Sequence, residues 1–379
     1  MSNYKRLDEV CHITMGQSPD SSSYNTEGNG LPFFQGNADF GSLYPNVRIW
    51  CNAPKKIIKP NKLLISVRAP IGALNFSREE SCIGRGLAGI TPLEGTKLKY
   101  IYYCLKSKKE ELNQKGTGST FKAIAKESLG ETRVKSVPLG EQIKIIEKLD
   151  RISDLINLQN KQIALLEDLI RARFVELFGD VTTDSYKYDT CKLGEVAEVG
   201  SSHRVFTNEF VESGVPFYRG TEISELSNGN LPTDPFYISE EHYSRLISEG
   251  TKPQVGDLLM PSICNKGQVW MVNTENPFYY KDGRVLSISP DRNIFNSVYL
   301  RQFMSLKTES EYPKLGSGST FAEFKIFQLK ELDVLIPPRD LQNSFADFVA
   351  QIDKSKSAVQ KSLDETQLLF DSLMQEYFG

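Results

Sequence analysis

The chain has 379 residues, with 45 Lys and Arg against 48 Asp and Glu, a net charge of −3, 39% hydrophobic residues and six cysteines. This length accommodates two or three domains of about 100 to 200 residues each, and the composition excludes a disordered or collagen-like chain and a uniformly cationic DNA-coating protein. No stretch approaches the roughly 18 consecutive apolar residues of a membrane helix, and no apolar run follows the N-terminus, so a soluble, cytoplasmic, non-exported protein with no membrane partner is expected.

The cysteines, Cys11, Cys51, Cys82, Cys104, Cys191 and Cys264, are too widely spaced for a zinc knuckle or a thioredoxin-type pair. They are expected to be reduced, mostly buried thiols. The three histidines, His12, His203 and His242, have no second ligand at helical spacing, so no metal site is expected.

The near-neutral total hides an asymmetry. Residues 1–140 carry a net +8, 141–180 a net −2, 181–340 a net −6 and 341–379 a net −3.

In chain order, residues 1–140 alternate short apolar runs, such as Lys56-Ile-Ile58 and Leu63-Leu-Ile-Ser-Val67, with Gly, Pro and Asn punctuation. That pattern predicts strands of a small β-rich mixed domain, with one helix around Leu98 to Lys108. Pro138 closes this segment. Over 141–180 the apolar residues Ile145, Leu149, Ile152, Ile156, Ile163, Leu166 and Ile170 recur in alternating steps of four and three, with Gln159 and Arg173 as polar exceptions. Such spacing without Gly or Pro predicts a long coiled-coil helix.

Residues 181–340 return to short apolar runs, as in Asp257-Leu-Leu-Met260 and Gln268-Val-Trp-Met-Val272, with a helix predicted from Ser297 to Leu306. After Pro337-Pro338 a second seam follows over 341–379, through Phe345, Val349, Ile352, Val359, Leu363 and Phe370, with Lys356 and Thr366 as exceptions. The fold class expected is therefore α+β: two tandem β-rich mixed domains and two long helices forming an antiparallel coiled coil.

The order of elements repeats because the sequence does. Lys115-Gly-Thr-Gly-Ser-Thr-Phe121 reappears as Leu315-Gly-Ser-Gly-Ser-Thr-Phe321, and the same offset of 200 superposes Leu129 on Leu329, Val134 on Val334, Pro138 on Pro338, Gln142 on Gln342 and Phe178-Gly179 on Phe378-Gly379. Upstream, Arg6-Leu-Asp-Glu-Val10 resembles Lys192-Leu-Gly-Glu-Val196, and Gly30-Leu-Pro-Phe-Phe-Gln-Gly36 resembles Gly214-Val-Pro-Phe-Tyr-Arg-Gly220. An internal duplication with a pseudo-two-fold follows. Laid antiparallel, the two helices would make a rod of roughly 57 Å with one globular unit near each end.

Enzyme signatures are missing from the sequence. The Gly-Ser-Thr loops lack the Gly-Lys-Ser/Thr ending of a P-loop, the only Pro-Pro lies in Ile336-Pro-Pro-Arg339 rather than in a methyltransferase motif, and neither a nucleophile elbow nor a His-Glu-x-x-His is present. Acidic pairs such as Glu79-Glu80 and Glu240-Glu241 read as solvated surface. What remains is loop chemistry suited to nucleic acid: Ser and Thr hydroxyls that donate to phosphates, and arginines that grip phosphate or guanine.

The duplicated unit, the Leu-x-Glu-Val opening, the segments Val67-Arg-Ala-Pro-Ile-Gly72 and Ile83-Gly-Arg-Gly-Leu-Ala88, the Gly-Ser-Thr-Phe turn ahead of proline and the long helix after each unit resemble the specificity subunit of type I restriction-modification systems. The resemblance covers essentially the whole chain. It implies a non-catalytic subunit in which each globular unit is a target recognition domain for one half of a split, asymmetric double-stranded DNA site with a fixed spacer. It also implies that the coils dock two methyltransferase (M) subunits, that restriction (R) subunits join, and that no cofactor binds this chain, S-adenosylmethionine belonging to M and ATP with Mg to R. Adenine N6 would be the methylated atom.

Candidate DNA-binding residues are Gln35 and Asn37 with Arg219 and Thr221, Arg68 with Lys266, Arg85 with Arg284, and Lys115, Ser119, Thr120 and Lys122 with Lys314, Ser319 and Thr320. The seam residues named above are the candidates for the coil and for M docking. A free-standing coiled-coil adaptor that binds proteins through two β-rich domains is the competing non-enzymatic reading. A methyltransferase-nuclease of which only the recognition half is present competes on the enzymatic side, and the closed arrangement of two units of 200 residues argues against it.

Overall fold

The computed structural model describes residues 4–117, 122–250, 252–315 and 322–379. The chain forms two compact units, the first made of Met1–Lys161 with Gln360–Gly379 and the second of Gln162–Val359.

In the first unit an antiparallel four-stranded sheet runs in the order Cys11–Met15, Leu87–Pro92, Leu63–Ser66, Leu74–Phe76, and a second, five-stranded sheet contains Leu31–Phe34 paired in parallel with Ser81–Ile83. Val134, on a short strand that pairs with Tyr4–Arg6, lies in the core. The strand Leu63–Ser66 is buried on both faces, which is why it reads as a continuous apolar run rather than an alternating one. The expected helix spans Leu98–Ser107, and a further turn follows over Lys109–Gln114. Tyr100, Ile101, Tyr103, Cys104 and Leu105 form its buried face.

The second unit repeats this plan. Its antiparallel sheet has the order Ala197–Ser201, Val285–Pro290, Leu258–Pro261, Trp270–Met271, and Val215–Tyr218 pairs in parallel with Tyr279–Tyr280. The expected helix at Ser297 runs to Glu311 rather than ending at Leu306. Besides the single turns Leu193–Val196 and Ile326–Lys330, two longer helices that the sequence reading does not contain are present among the described residues, Gly220–Ser227 and Glu240–Glu249. Both are still short, and each buries only two side chains. Glu240-Glu241, read as a solvated run, forms the first turn of the second of these helices, where carboxylates suit the positive end of the helix dipole. The Ser239 hydroxyl caps it by accepting from the His242 N–H at 3.1 Å.

Both seams form single helices, Leu139–Phe178 and Arg339–Phe378, each beginning directly after proline. Each contributes one half to each unit. In the first unit Ile145, Leu149 and Ile152 share a core with Phe370, Leu373, Met374 and Phe378, so the start of one helix lies against the end of the other. In the second unit Ile170, Phe174 and Phe178 share a core with Phe345 and Val349. Pairing within each unit is therefore antiparallel. The polar exceptions sit in the seam and find partners: Gln159 donates to Ser362 Oγ at 2.9 Å in the first unit, and Lys356 reaches Glu167 at 2.7 Å in the second.

The last turn of each helix plugs into a globular body. Phe178 packs edge-on against Tyr299 at 4.7 Å, and Phe378 lies 5.4 Å from Tyr100. The first turn of each helix is tied down by a buried glutamine. Gln142 accepts from the Lys97 N–H at 2.9 Å and donates to the Gly95 and Val137 carbonyls, both at 3.0 Å. Gln342 accepts from the Asn296 N–H at 2.8 Å and donates to Ile294 and Pro337 at 3.0 and 2.9 Å.

Candidate nucleic-acid interface

In the first unit, four loops that are remote in sequence are joined edge to edge by backbone hydrogen bonds. The Gly86 N–H donates to the Gln35 carbonyl at 3.1 Å, Val67 to Gly86 at 2.9 Å, Ile124 to Val67 at 2.9 Å and Ala69 to Lys122 at 3.1 Å. Close approach of the backbones explains the two glycines around Arg85. A Cβ on Gly86 would stand 2.2 Å from the Gln35 carbonyl oxygen, and one on Gly84 would stand 3.2 Å from the Gln35 Cα.

The edge built this way presents Gln35, Arg68, Arg85 and Lys122 to solvent. Among the described residues Arg68, Arg85 and Lys122 have no acidic partner and no side-chain hydrogen bond. Asn37 lies beside them, half-buried in the short turn Asn37–Asp39. Lys115 is turned away, its ammonium bound to Glu111 at 2.7 Å. Ser119 and Thr120 lie outside the described residues.

The second unit has the same stitching. Ser262 N–H donates to the Arg284 carbonyl at 2.9 Å, Phe324 to Ser262 at 2.7 Å and Lys281 to Tyr218 at 2.9 Å. Strand register refines the sequence pairing. Gln35 and Arg219 occupy equivalent places, each following the strand that pairs in parallel with its neighbour. Arg284, however, falls where Gly86 stands in the first unit, one residue beyond the place of Arg85. The counterpart of Arg68 is Ile263, and Lys266 lies three residues further on.

The larger difference is electrostatic. Arg219 binds the buried Glu222 carboxylate through Nε and Nη2, and its guanidinium stacks 4.4 Å above the Phe236 ring. Thr221 donates to the same carboxylate at 3.0 Å. Arg284 pairs with Glu323 at 2.7 Å, and Lys325 reaches that carboxylate from the other side. Lys314 is bound to Glu311 at 2.9 Å. Only Lys266, of these candidates in the second unit, has a cationic side chain without a partner among the described residues. Ser319 and Thr320 lie outside the described residues.

Burial opposes the charge on Glu222, but the Arg219 guanidinium, backbone N–H groups and the Thr221 hydroxyl outweigh it and hold its pKa below the ordinary glutamate value. Lys325, and then Arg284, do the same for Glu323. Sequence reading did not single out Asp39, Arg48, Glu222, Glu323 or Lys325. The spacing of Arg219 and Glu222, three residues apart at a helix start, is the one legible signal among them; Arg48 and Asp39 meet only through the fold.

The seam candidates Ile145, Leu149, Ile152, Ile170, Phe345, Val349 and Phe370 are buried, and Ile156, Ile163, Leu166, Ile352, Val359 and Leu363 are half-buried within the helix pairs. These side chains pack inside the chain, so a partner would meet other residues. In the first unit Leu155, Leu158, Leu368 and Leu369 are exposed, and in the second Leu165, Leu169 and Val175 are. Among the described residues no helix is long and apolar enough to cross a membrane, and no cluster of His, Cys, Asp and Glu could hold a metal ion.

A family model for the type I restriction modification DNA specificity domain matches residues 1–168 and again residues 186–366. The chain belongs to this family. The two matches fall on the two halves of the duplication, so the family domain occurs twice. A Methanocaldococcus jannaschii protein provisionally named as the specificity subunit of the type I restriction enzyme MjaX is 45% identical over 151 residues, 40% of this chain and 36% of that one. The chain thus spans about a third of that relative's length in the match. The type I restriction enzyme MjaIX specificity subunit of the same organism is 22% identical over 98% of this chain and 91% of its own. A crystal structure of the S subunit of a type I restriction-modification system from M. genitalium shares the fold, with a TM-score of 0.53 at 16% identity over 99% of this chain and 96% of that one.

Proposed function

We propose that the chain is the non-catalytic DNA-recognition subunit of a type I restriction-modification complex, acting in the cytoplasm on double-stranded DNA. Residues 1–140 and 181–340 are the two target recognition domains, and 141–180 and 341–379 are the coil. Each domain reads one half of an asymmetric bipartite site across a fixed spacer. Two M subunits carrying S-adenosylmethionine dock on the helix pair and methylate adenine N6, and R subunits with ATP and Mg complete the restriction complex. Among the described candidates this chain supplies no group for catalysis and no cofactor site of its own.

The observation that carries this reading is the stitched loop edge of the first unit, where Arg68, Arg85 and Lys122 stand exposed beside Gln35 and have no acidic partner among the described residues. Unpaired cations on one edge are the electrostatic footprint of phosphate contact, and an adjacent amide supplies the donor and acceptor needed for a base edge. In the second unit internal ion pairs offset most of the corresponding charge. Phosphate neutralisation there falls to Lys266 and to the M subunits.

The test is to express the chain with its cognate M subunit and map N6-methyladenine across a genome. A split motif methylated on both strands, with unequal halves and one gap length, is expected. No new methylation, or a continuous motif, contradicts the proposal.

A further inference from the structure

At the position where each unit's parallel strand ends, a buried carboxylate does two things. In the second unit Glu222, 4% exposed, accepts the Arg219 backbone N–H at 2.7 Å and also binds the Arg219 side chain. In the first unit Asp39, 8% exposed, accepts the Gln35 N–H at 2.7 Å and the Gly36 N–H at 3.2 Å, and its other oxygen binds Arg48. Arg48 is further held by the Ala38 carbonyl at 3.2 Å. The same device therefore fixes an arginine beside the strand end in both units, taken from the strand end itself in one and from nine residues beyond the carboxylate in the other. Both guanidinium groups remain partly open, with side chains 40% and 59% exposed, and neither Nη1 has a partner among the described residues.

We propose that Arg219 and Arg48 are the carboxylate-anchored guanine readers of their respective half-sites, with Glu222 and Asp39 as their positioning residues; this rests on the DNA-recognition reading above. A guanidinium already paired with a carboxylate adds little net charge, so it is a poor phosphate clamp. Its remaining donors are nonetheless held in one orientation: Arg219 keeps an end-on fork, Nη1–H beside the second Nη2–H, that matches guanine O6 and N7, whereas both Nη2 hydrogens of Arg48 are taken by Asp39 and Ala38, so Arg48 offers Nη1–H to a single guanine acceptor. In the second unit Phe236 covers one face of the Arg219 plane and leaves the in-plane edge for the base. Anchoring also reduces the rotamer entropy lost when the base is bound.

The experiment uses the complex with its M subunit and maps N6-methyladenine for the wild type and for Arg219→Lys, Glu222→Gln and Arg48→Lys. Lysine keeps the charge and removes the planar, carboxylate-anchored donors. Arg219→Lys is expected to lower the preference for guanine at one position of one half-site by roughly 5- to 150-fold and to leave the other half unchanged. Glu222→Gln should relax that same position, while Arg48→Lys should relax one position in the opposite half. A melting curve for each variant separates loss of reading from loss of folding, because a structural role shifts the melting temperature without changing which base is chosen. Unchanged motifs, or equal weakening at every position, would overturn the assignment while the DNA-recognition reading stands. No split motif from the wild type would remove that reading itself.

Discussion

Arg68, Arg85 and Lys122 differ from Arg219, Arg284 and Lys314 in what holds them: nothing acidic among the described residues on one side, a carboxylate on each of the others. This difference gives the +8 and −6 of the two segments a local meaning, since the acids of the second unit sit on its bases. Replacing Arg68 or Lys122 by Ala is expected to weaken binding to all DNA sequences alike and to flatten the dependence of log K on log salt by about 0.9 per residue, measured by titration at several ionic strengths. Arg284→Ala should change the slope less, because Glu323 already offsets its charge. Glu222 carries a pH signature. Its folded pKa lies below its ordinary value of 4.5, so its ionised form contributes stability above that pH, and the contribution is lost as pH falls through the lower folded value. Glu222→Gln should flatten the acid limb of a plot of stability against pH; an unaltered acid limb would show that the carboxylate does not stabilise the fold.

At the scale of elements, the long helices were legible in full because the packing constraint on them is one-dimensional. Every seam position read at steps of three and four is buried or half-buried, down to the polar exceptions Gln159, Lys356 and Thr366. Strand existence was legible where an apolar run such as Leu63–Ser66 is buried on both faces, and the duplication was legible as an offset. What the sequence did not expose is interaction across the fold. The short helix Glu240–Glu249 begins with charges that, without its tertiary setting, look like plain surface. Arg48 meets Asp39 only once the loop between them folds back, and the pairing of Arg85 with Arg284 slips by one residue against the strand register. The buried glutamines were visible as a match at 142 and 342, but their bonds to the loops before each globular helix were not. Gln142→Ala or Gln342→Ala would leave one N–H and two carbonyls unpaired, and each should cost about 2 kcal/mol or more in chemical unfolding.

At the scale of the whole molecule, each globular body depends on the end of a long helix to complete its core. Phe370, Leu373, Met374 and Phe378 belong to the first unit's core although they come from the last residues of the chain. Removing residues 360–379 is therefore expected to loosen the first unit and to expose sites in it to limited proteolysis, and Phe378→Ala alone should cost about 3 to 5 kcal/mol. Preserved protease resistance of residues 4–161 in the truncated chain would contradict this. The same architecture pairs one body with one half of each helix, so each body can carry its own specificity. The most direct test is an exchange: residues 1–138 are replaced by the matching segment of a relative with a known bipartite target, and the methylated motif is mapped in the presence of M. One half of the motif is expected to take the relative's sequence while the other half stays as in the parent. A change in both halves, or in neither, would contradict it.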